Sequence, residues 1–343
     1  MRVALIHPLI KRTGEGDRNR LDSITLTQIP QEKSERAVPS LKQKSRFNAE
    51  RLFKGILLLF SLLILLIVLA IFFELIRSSS LSLKTFGFSF VTGRVWDPVK
   101  EIYGALPFIY GTVVSSLIAM AISIPVSLGV ALFLTEWAPL WMRTIVSFLV
   151  ELLAAIPSVI YGLWGIFVMI PFLRTNVAPF LQETFGFLPL FDGPFYGVSL
   201  LSAGLILSIM VLPTITAVSR EVFLAVPQEL REAVLALGGT RWESIRLAVL
   251  KMSRSGIIGA VVLGLGRALG ETMAVTMVIG NRPEIVASLF SPGYSLASVI
   301  ANEFSEATTP LYLSALAECG LILLAVTFVV NGLARLLVRK KSA

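Results

Sequence analysis

Apolar residues in this chain come in long unbroken runs rather than in the alternation of strands or the stripes of surface helices. Gly55–Phe73 carries no charge over 19 residues, about 28 Å of helix and enough to cross a bilayer core. Residues 105–134 are uncharged for 30 residues. The crossing is placed at 108–134, with Pro107 and Gly111 near its entry and a kink expected at Pro125. Between Arg143 and Arg174 only Glu151 interrupts the apolar sequence. Split at Pro157, that run gives halves too short to cross, so one bent span with a re-entrant or interfacial end is predicted at 144–173. Further spans are predicted at 197–218, at 256–279 with Arg267 and Glu271 inside, and at 311–333 with Glu318 inside. The pattern predicts an all-α membrane protein of six transmembrane helices.

Composition agrees with this reading. Of 343 residues 55% are hydrophobic and only 15% charged, with a mean hydropathy of +0.81; a soluble fold of this size needs more polar surface. A single cysteine, Cys319, excludes an intrachain disulfide, and a single histidine, His7, leaves no basis for a His-based metal site or triad. No metal site and no catalytic site are expected.

The net charge of +8 invites a nucleic-acid reading, but placement removes it. With the N-terminus inside, cytoplasmic segments hold 23 of the 30 Lys and Arg, 12 of them in residues 1–54. This is the positive-inside bias, and an even number of spans puts both termini in the cytoplasm. Residues 1–54 read as a polar cytoplasmic tail, expected to be disordered, with a short amphipathic helix near Leu41–Phe53. Residues 55–343 form the membrane domain.

Two segments carry chemistry. The inside loop 220–254 contains Leu230, Ala233, Val234 and Leu237 at helical spacing after Pro227, then Gly238-Gly239, then Trp242, Ile245 and Val249 on one side of a second helix. Two short helices joined by glycine fit either a hairpin lying on the membrane or a docking element for a soluble partner. In the fifth span Arg267 and Glu271 stand four residues apart, as do Gly266 and Gly270. A charge at mid-bilayer costs about 2.5–3.5 kcal/mol on insertion scales, so such residues face protein or a polar cavity. Arg267 and Glu271 fit either a structural ion pair or a gate on an anion path, where a guanidinium fork matches a tetrahedral oxyanion. Glu151 and Glu318 are further intramembrane polar partners; bundle-holding hydrogen bonds serve them as well as transport does.

These residues carry a resemblance. Glu232-Ala233-Val234, three residues, then Gly238 resembles the coupling loop of ABC importer permeases, with Val234 at a position usually Ala and Leu250-Lys251 where Leu-Pro is common. Residues 266–281, Trp96-Asp97-Pro98, the 103–112 segment and Ala155-Ile156-Pro157-Ser158 through Gly162 resemble the PstC-like permeases of phosphate-specific ABC importers, in the MetI-like family. The likeness covers about residues 55–340.

The resemblance implies a membrane permease subunit of an ATP-driven phosphate importer in a bacterial inner membrane. It implies pairing with a PstA-like permease, a cytoplasmic ABC ATPase dimer docked at Glu232, Ala233 and Gly238, and a periplasmic phosphate-binding protein. Having no Gly-rich P-loop, the chain is expected to be no enzyme and to bind no cofactor; ATP is used by the partner ATPase. The residues alone also admit a permease for another tetrahedral oxyanion, a secondary anion transporter and a phosphate-sensing scaffold.

Overall fold

Uncharged runs of apolar residues satisfy their backbone groups within one segment only as helix, and the computed structural model is helical nearly throughout residues 43–339, the residues it describes. The expected tail up to residue 42, including His7, lies outside the described residues. By contact the chain divides after Leu62 into two units. The described part of the first is the beginning of α1 (Gln43–Ser78). The amphipathic helix expected near Leu41–Phe53 is, from Gln43 on, the beginning of this longer helix. From Leu52 to Phe73 its large apolar side chains are mostly exposed, as lipid-facing positions are.

The second unit is built around α3 (Leu106–Trp137) and α6 (Leu200–Leu224), which share the most extensive helix contact. Gly204 makes it possible, since a Cβ there would lie 2.5 Å from the Ile118 side chain. Their interface buries Ala119, Ala203, Leu207 and Met210. Helix α9 (Arg254–Gly270) packs on both of this pair, α12 (Pro310–Arg339) packs on α9, and α2 (Ser80–Phe86) packs on α12. Close passage of α9 across α6 depends on Gly256 against Val222 and Gly264 against Ile215 and Val211. By contrast, Gly266 and Gly270, paired by the sequence spacing, meet at most Asn331 at 3.8 Å.

Among the described residues five helices are long and apolar enough to cross a membrane, or six if α8 (Arg241–Leu250) and α9, bent by 70°, form one span. Two predicted spans differ. The third was placed at 144–173. The backbone instead turns extended at Ile156 and Pro157, ending α4 (Leu140–Ala155). Helix α5 (Ser158–Phe185) then runs on past Arg174 and is itself long enough to cross. Proline disfavours helix at the residue before it, whereas an exposed arginine on a flexible stem does not end one. The fifth, placed at 256–279, is broken: α9 stops at Gly270, Glu271 is extended (φ −68°, ψ 127°), and α10 is Met273–Ile279. Glycine weakens the helix there, and the Thr272 hydroxyl donates to the Gly270 carbonyl at 3.3 Å, a local bond that competes with helix continuation.

The segments before α3 and after α10 are joined by buried polar and aromatic contacts. Trp96 Nε1 and the Tyr312 hydroxyl both donate to Glu303 Oε2, at 2.8 and 2.5 Å. Tyr103 stacks on Tyr312 with centroids 5.4 Å apart. Gly111 lets α3 touch the backbone of Tyr294, and Thr112 Oγ1 accepts from the Leu296 N–H at 2.9 Å, at the start of α11 (Leu296–Glu303). Burial pushes the Tyr294 phenol well above its ordinary pKa, so it stays a neutral partner for Asn302 at 3.1 Å.

Candidate functional site

The helices that follow the two breaks inside the apolar region pack against one another. Gly162 and Gly165, just after the Pro157 break, face α10, which follows the Glu271 break. A Cβ on Gly162 would lie 2.5 Å from Met277 Sδ and 3.3 Å from Ala274 Cα; one on Gly165 would lie 2.9 Å from Val278. Only glycine allows this approach. Tyr161, buried between them, donates its hydroxyl to the Leu153 carbonyl at 2.7 Å, linking α4 to α5 across the break. Irregular backbone at membrane depth is tolerated where it is buried in protein or lines a cavity, and such breaks mark transport paths.

Arg267 and Glu271 do not form the pair their spacing suggested. The helix ends between them, and among the described residues no ion pair within 4.0 Å involves either. Arg267 is exposed on the single chain and Glu271 half-buried. Glu151 is exposed on α4, a helix whose large apolar side chains are also largely uncovered. Glu318 is fully buried on α12, with Oε2 lacking a hydrogen-bond partner and the Ser82 side chain of α2 beside it. The structure therefore places Arg267 in the last turn of α9, just before the Glu271 break, and keeps Glu318 inside the packing of α2 and α12. No three His, Cys, Asp or Glu side chains among the described residues are grouped to hold a metal ion.

The loop 220–254 folds as its local sequence dictates. Helix α7 (Gln228–Ala236) ends with Gly238 at φ +87°; the Gly238 N–H donates to Leu235 O and the Gly239 N–H to Val234 O, both at 3.0 Å. This is the glycine stop that satisfies the last carbonyls. Thr240 and Glu243 then form a capping box that starts α8. Hydrogen bonding by Thr240 holds the Glu243 carboxyl below its usual pKa. No residue of α7 is buried, so Glu232, Ala233 and Gly238 are all exposed. Leu237 and Trp242 are exposed beside them, while Ile245 and Val249, expected on Trp242's side, are buried. An apolar surface on a projecting hairpin fits docking to a soluble partner better than self-burial.

A family model described as "Binding-protein-dependent transport system inner membrane component" matches residues 123–343. The chain belongs to this family. Among curated relatives, the "Phosphate transport system permease protein PstC" of Pasteurella multocida is 48% identical, covering 85% of this chain and 92% of the relative. The protein of the same name from Haemophilus influenzae is 47% identical over 87% of this chain and 97% of its own length. A "Probable phosphate transport system permease protein PstC" from Methanocaldococcus jannaschii is 39% identical over 73% and 81%. The chain is thus a PstC-type permease of the binding-protein-dependent class, a multi-span membrane component that works with other parts of an ABC transport system. A solved structure of the MetNI methionine ABC transporter shares the fold, with a TM-score of 0.52 at 17% identity over 72% of this chain and 99% of that one.

The sequence pointed to Arg267 but missed Tyr161 and the backbone break at Glu271. The signals were present, as Pro157 ahead of a Tyr-Gly pair and as Gly270 with Thr272 (where a hydroxyl can take a helix-end carbonyl).

Proposed function

We propose that this chain is the membrane permease of an ATP-driven phosphate importer in a bacterial inner membrane, with both termini cytoplasmic. The observation that carries the substrate is its likeness, over most of both chains, to proteins named as phosphate permeases. The exposed α7 hairpin supports coupling to a separate cytoplasmic ABC ATPase dimer, and a channel has no use for such a projection. This chain hydrolyses no ATP itself and binds no cofactor. A PstA-like permease completes the path, and a periplasmic phosphate-binding protein delivers the anion.

In this reading, closure of the nucleotide-bound ATPase pair favours one position of α7, and so one arrangement of the helices behind it; nucleotide acts only through that difference. Phosphate passes the paired breaks, where Arg267 offers a fork of donors to its oxygens. With no carboxylate among the described residues within ion-pair distance, Arg267 is free to take the anion. The test is reconstitution of the complete complex in proteoliposomes. Phosphate uptake that requires ATP inside the transporter's cytoplasmic compartment supports the proposal; uptake driven by an ion gradient without ATP, or a complex that assembles without flux, overturns it.

A further inference from the structure

Helix α7 is attached to the membrane bundle in an unusual way. None of its nine residues is buried, so apolar packing does little to hold it. Arg231, in its first turns, makes the connection. Its guanidinium donates to the Phe223 carbonyl at 2.8 Å and the Val226 carbonyl at 3.2 Å, at and just beyond the C-terminal end of α6. The same side chain lies 3.3 Å from Glu136 Oε1, at the cytoplasmic end of α3. From the other side, the Ser244 hydroxyl of α8 donates to the Arg231 carbonyl at 3.2 Å. One residue therefore touches the ends of α3 and α6, the two helices that form the centre of the bundle.

The chemistry suits the task. The end of a helix presents unsatisfied carbonyls and a partial negative charge, and an arginine is favoured there. A planar fork can hold two carbonyls in fixed directions with the Glu136 carboxylate in ion-pair range beside it, which an ammonium on a flexible stem cannot. Both side chains are mostly shielded from solvent, 22% exposed for Arg231 and 15% for Glu136, so the pair is less screened than a surface contact. Beneath it, Ala131, Phe223, Val226 and Val249 form a small closed core, which gives the contact a rigid seat.

We propose that Arg231, braced by Glu136, is the positioning residue that carries motion of α7 into the cytoplasmic ends of α3 and α6 together. The proposal rests on α7 being the ATPase-docking element and names the link behind it. Displacement of α7 then moves the two central helices as a unit, instead of being absorbed by the Pro227 and Gly238 joints at its ends.

The experiment uses the complete complex in proteoliposomes, with ATP hydrolysis and phosphate uptake measured side by side. A wild-type complex that hydrolyses ATP without moving phosphate counts against the proposed function itself, and is seen before any variant is compared. Arg231→Gln is expected to lower phosphate moved per ATP by about 5-fold or more, the lower range of site-to-site coupling. Arg231→Lys should fall between it and the wild type, and Glu136→Gln should show a smaller loss. The double variant should be no worse than Arg231→Gln, because the two residues act through one contact. An unchanged ratio in Arg231→Gln, or losses that add in the double variant, overturns the proposal. Should Arg231→Gln fail to assemble, Glu136→Gln decides, since it lies on the bundle side of the link: a lowered ratio in an intact complex supports the strut, and an unchanged ratio overturns it.

Discussion

The Tyr161 hydroxyl reaches back over the Pro157 break to the Leu153 carbonyl at 2.7 Å. It thereby adds a strong donor to a last-turn carbonyl of α4 that otherwise accepts only the long Ile156 N–H bond at 3.4 Å. Tyr161→Phe removes that bond with little change of shape. A loss of about 0.5–1.5 kcal/mol in stability is expected, read as a lowered melting temperature of the purified complex. Uptake should fall more than assembly does, because the two breaks lie on the proposed path.

Arg267→Gln should reduce phosphate uptake while the complex still assembles. Assembly lost together with uptake would instead make Arg267 a helix-locking residue. Because Glu271 is not within ion-pair distance of it, Arg267→Gln and Glu271→Gln should be additive in uptake to within about 0.5 kcal/mol. A strong interaction between them in a double-mutant cycle would contradict the broken helix.

The glycines separate tight contacts from open ones. At Gly111 an added Cβ collides with the Tyr294 backbone, which cannot swing away as a side chain can. Gly111→Ala should cost about 1–3 kcal/mol or more, visible as poor yield and a lowered melting temperature. Nothing lies within 4 Å of a Cβ at Gly270, so Gly270→Ala should meet no clash within this chain. Any loss of pairing with a second permease in that variant would report a helix contact between subunits.

Glu303 accepts from both Trp96 and Tyr312 through one oxygen. Glu303→Ala strips both donors of their partner at once and should cost about 2–6 kcal/mol, given 1–3 kcal/mol for each buried polar group left unsatisfied. Proteolysis of the 94–105 segment is a direct readout, and protection equal to that of the wild type would refute it.

Glu232→Lys reverses an exposed charge whose hydrogen bond is with the exposed Gln228 side chain one turn before it, at 2.8 Å. The isolated chain should be as stable as before, within about 0.5 kcal/mol, while copurification of the ATPase should fall. Normal association and normal uptake would remove α7 from the docking role.

The apolar runs made the helical class readable, because hydrocarbon leaves the backbone few alternatives. The Gly238 stop and the amphipathic hairpin were readable for the same kind of reason, as their signals are local. What escaped was geometry set by contacts between distant segments. Arg174 looked like a span end, yet the helix passes it. Glu271 looked like the next turn of a helix, yet Gly270 and Thr272 end that helix first. The Arg231 contact was hidden because Glu136 is nearly a hundred residues away, and no periodicity records such a meeting.

The chain's one thiol, Cys319, is sealed inside α12 with no exposed surface. Water-soluble maleimides should therefore find the native protein blank. A cysteine introduced at Arg267, at Leu237 or in the 94–105 segment would report alone, so accessibility could be mapped from each side of the bilayer without first removing a native residue.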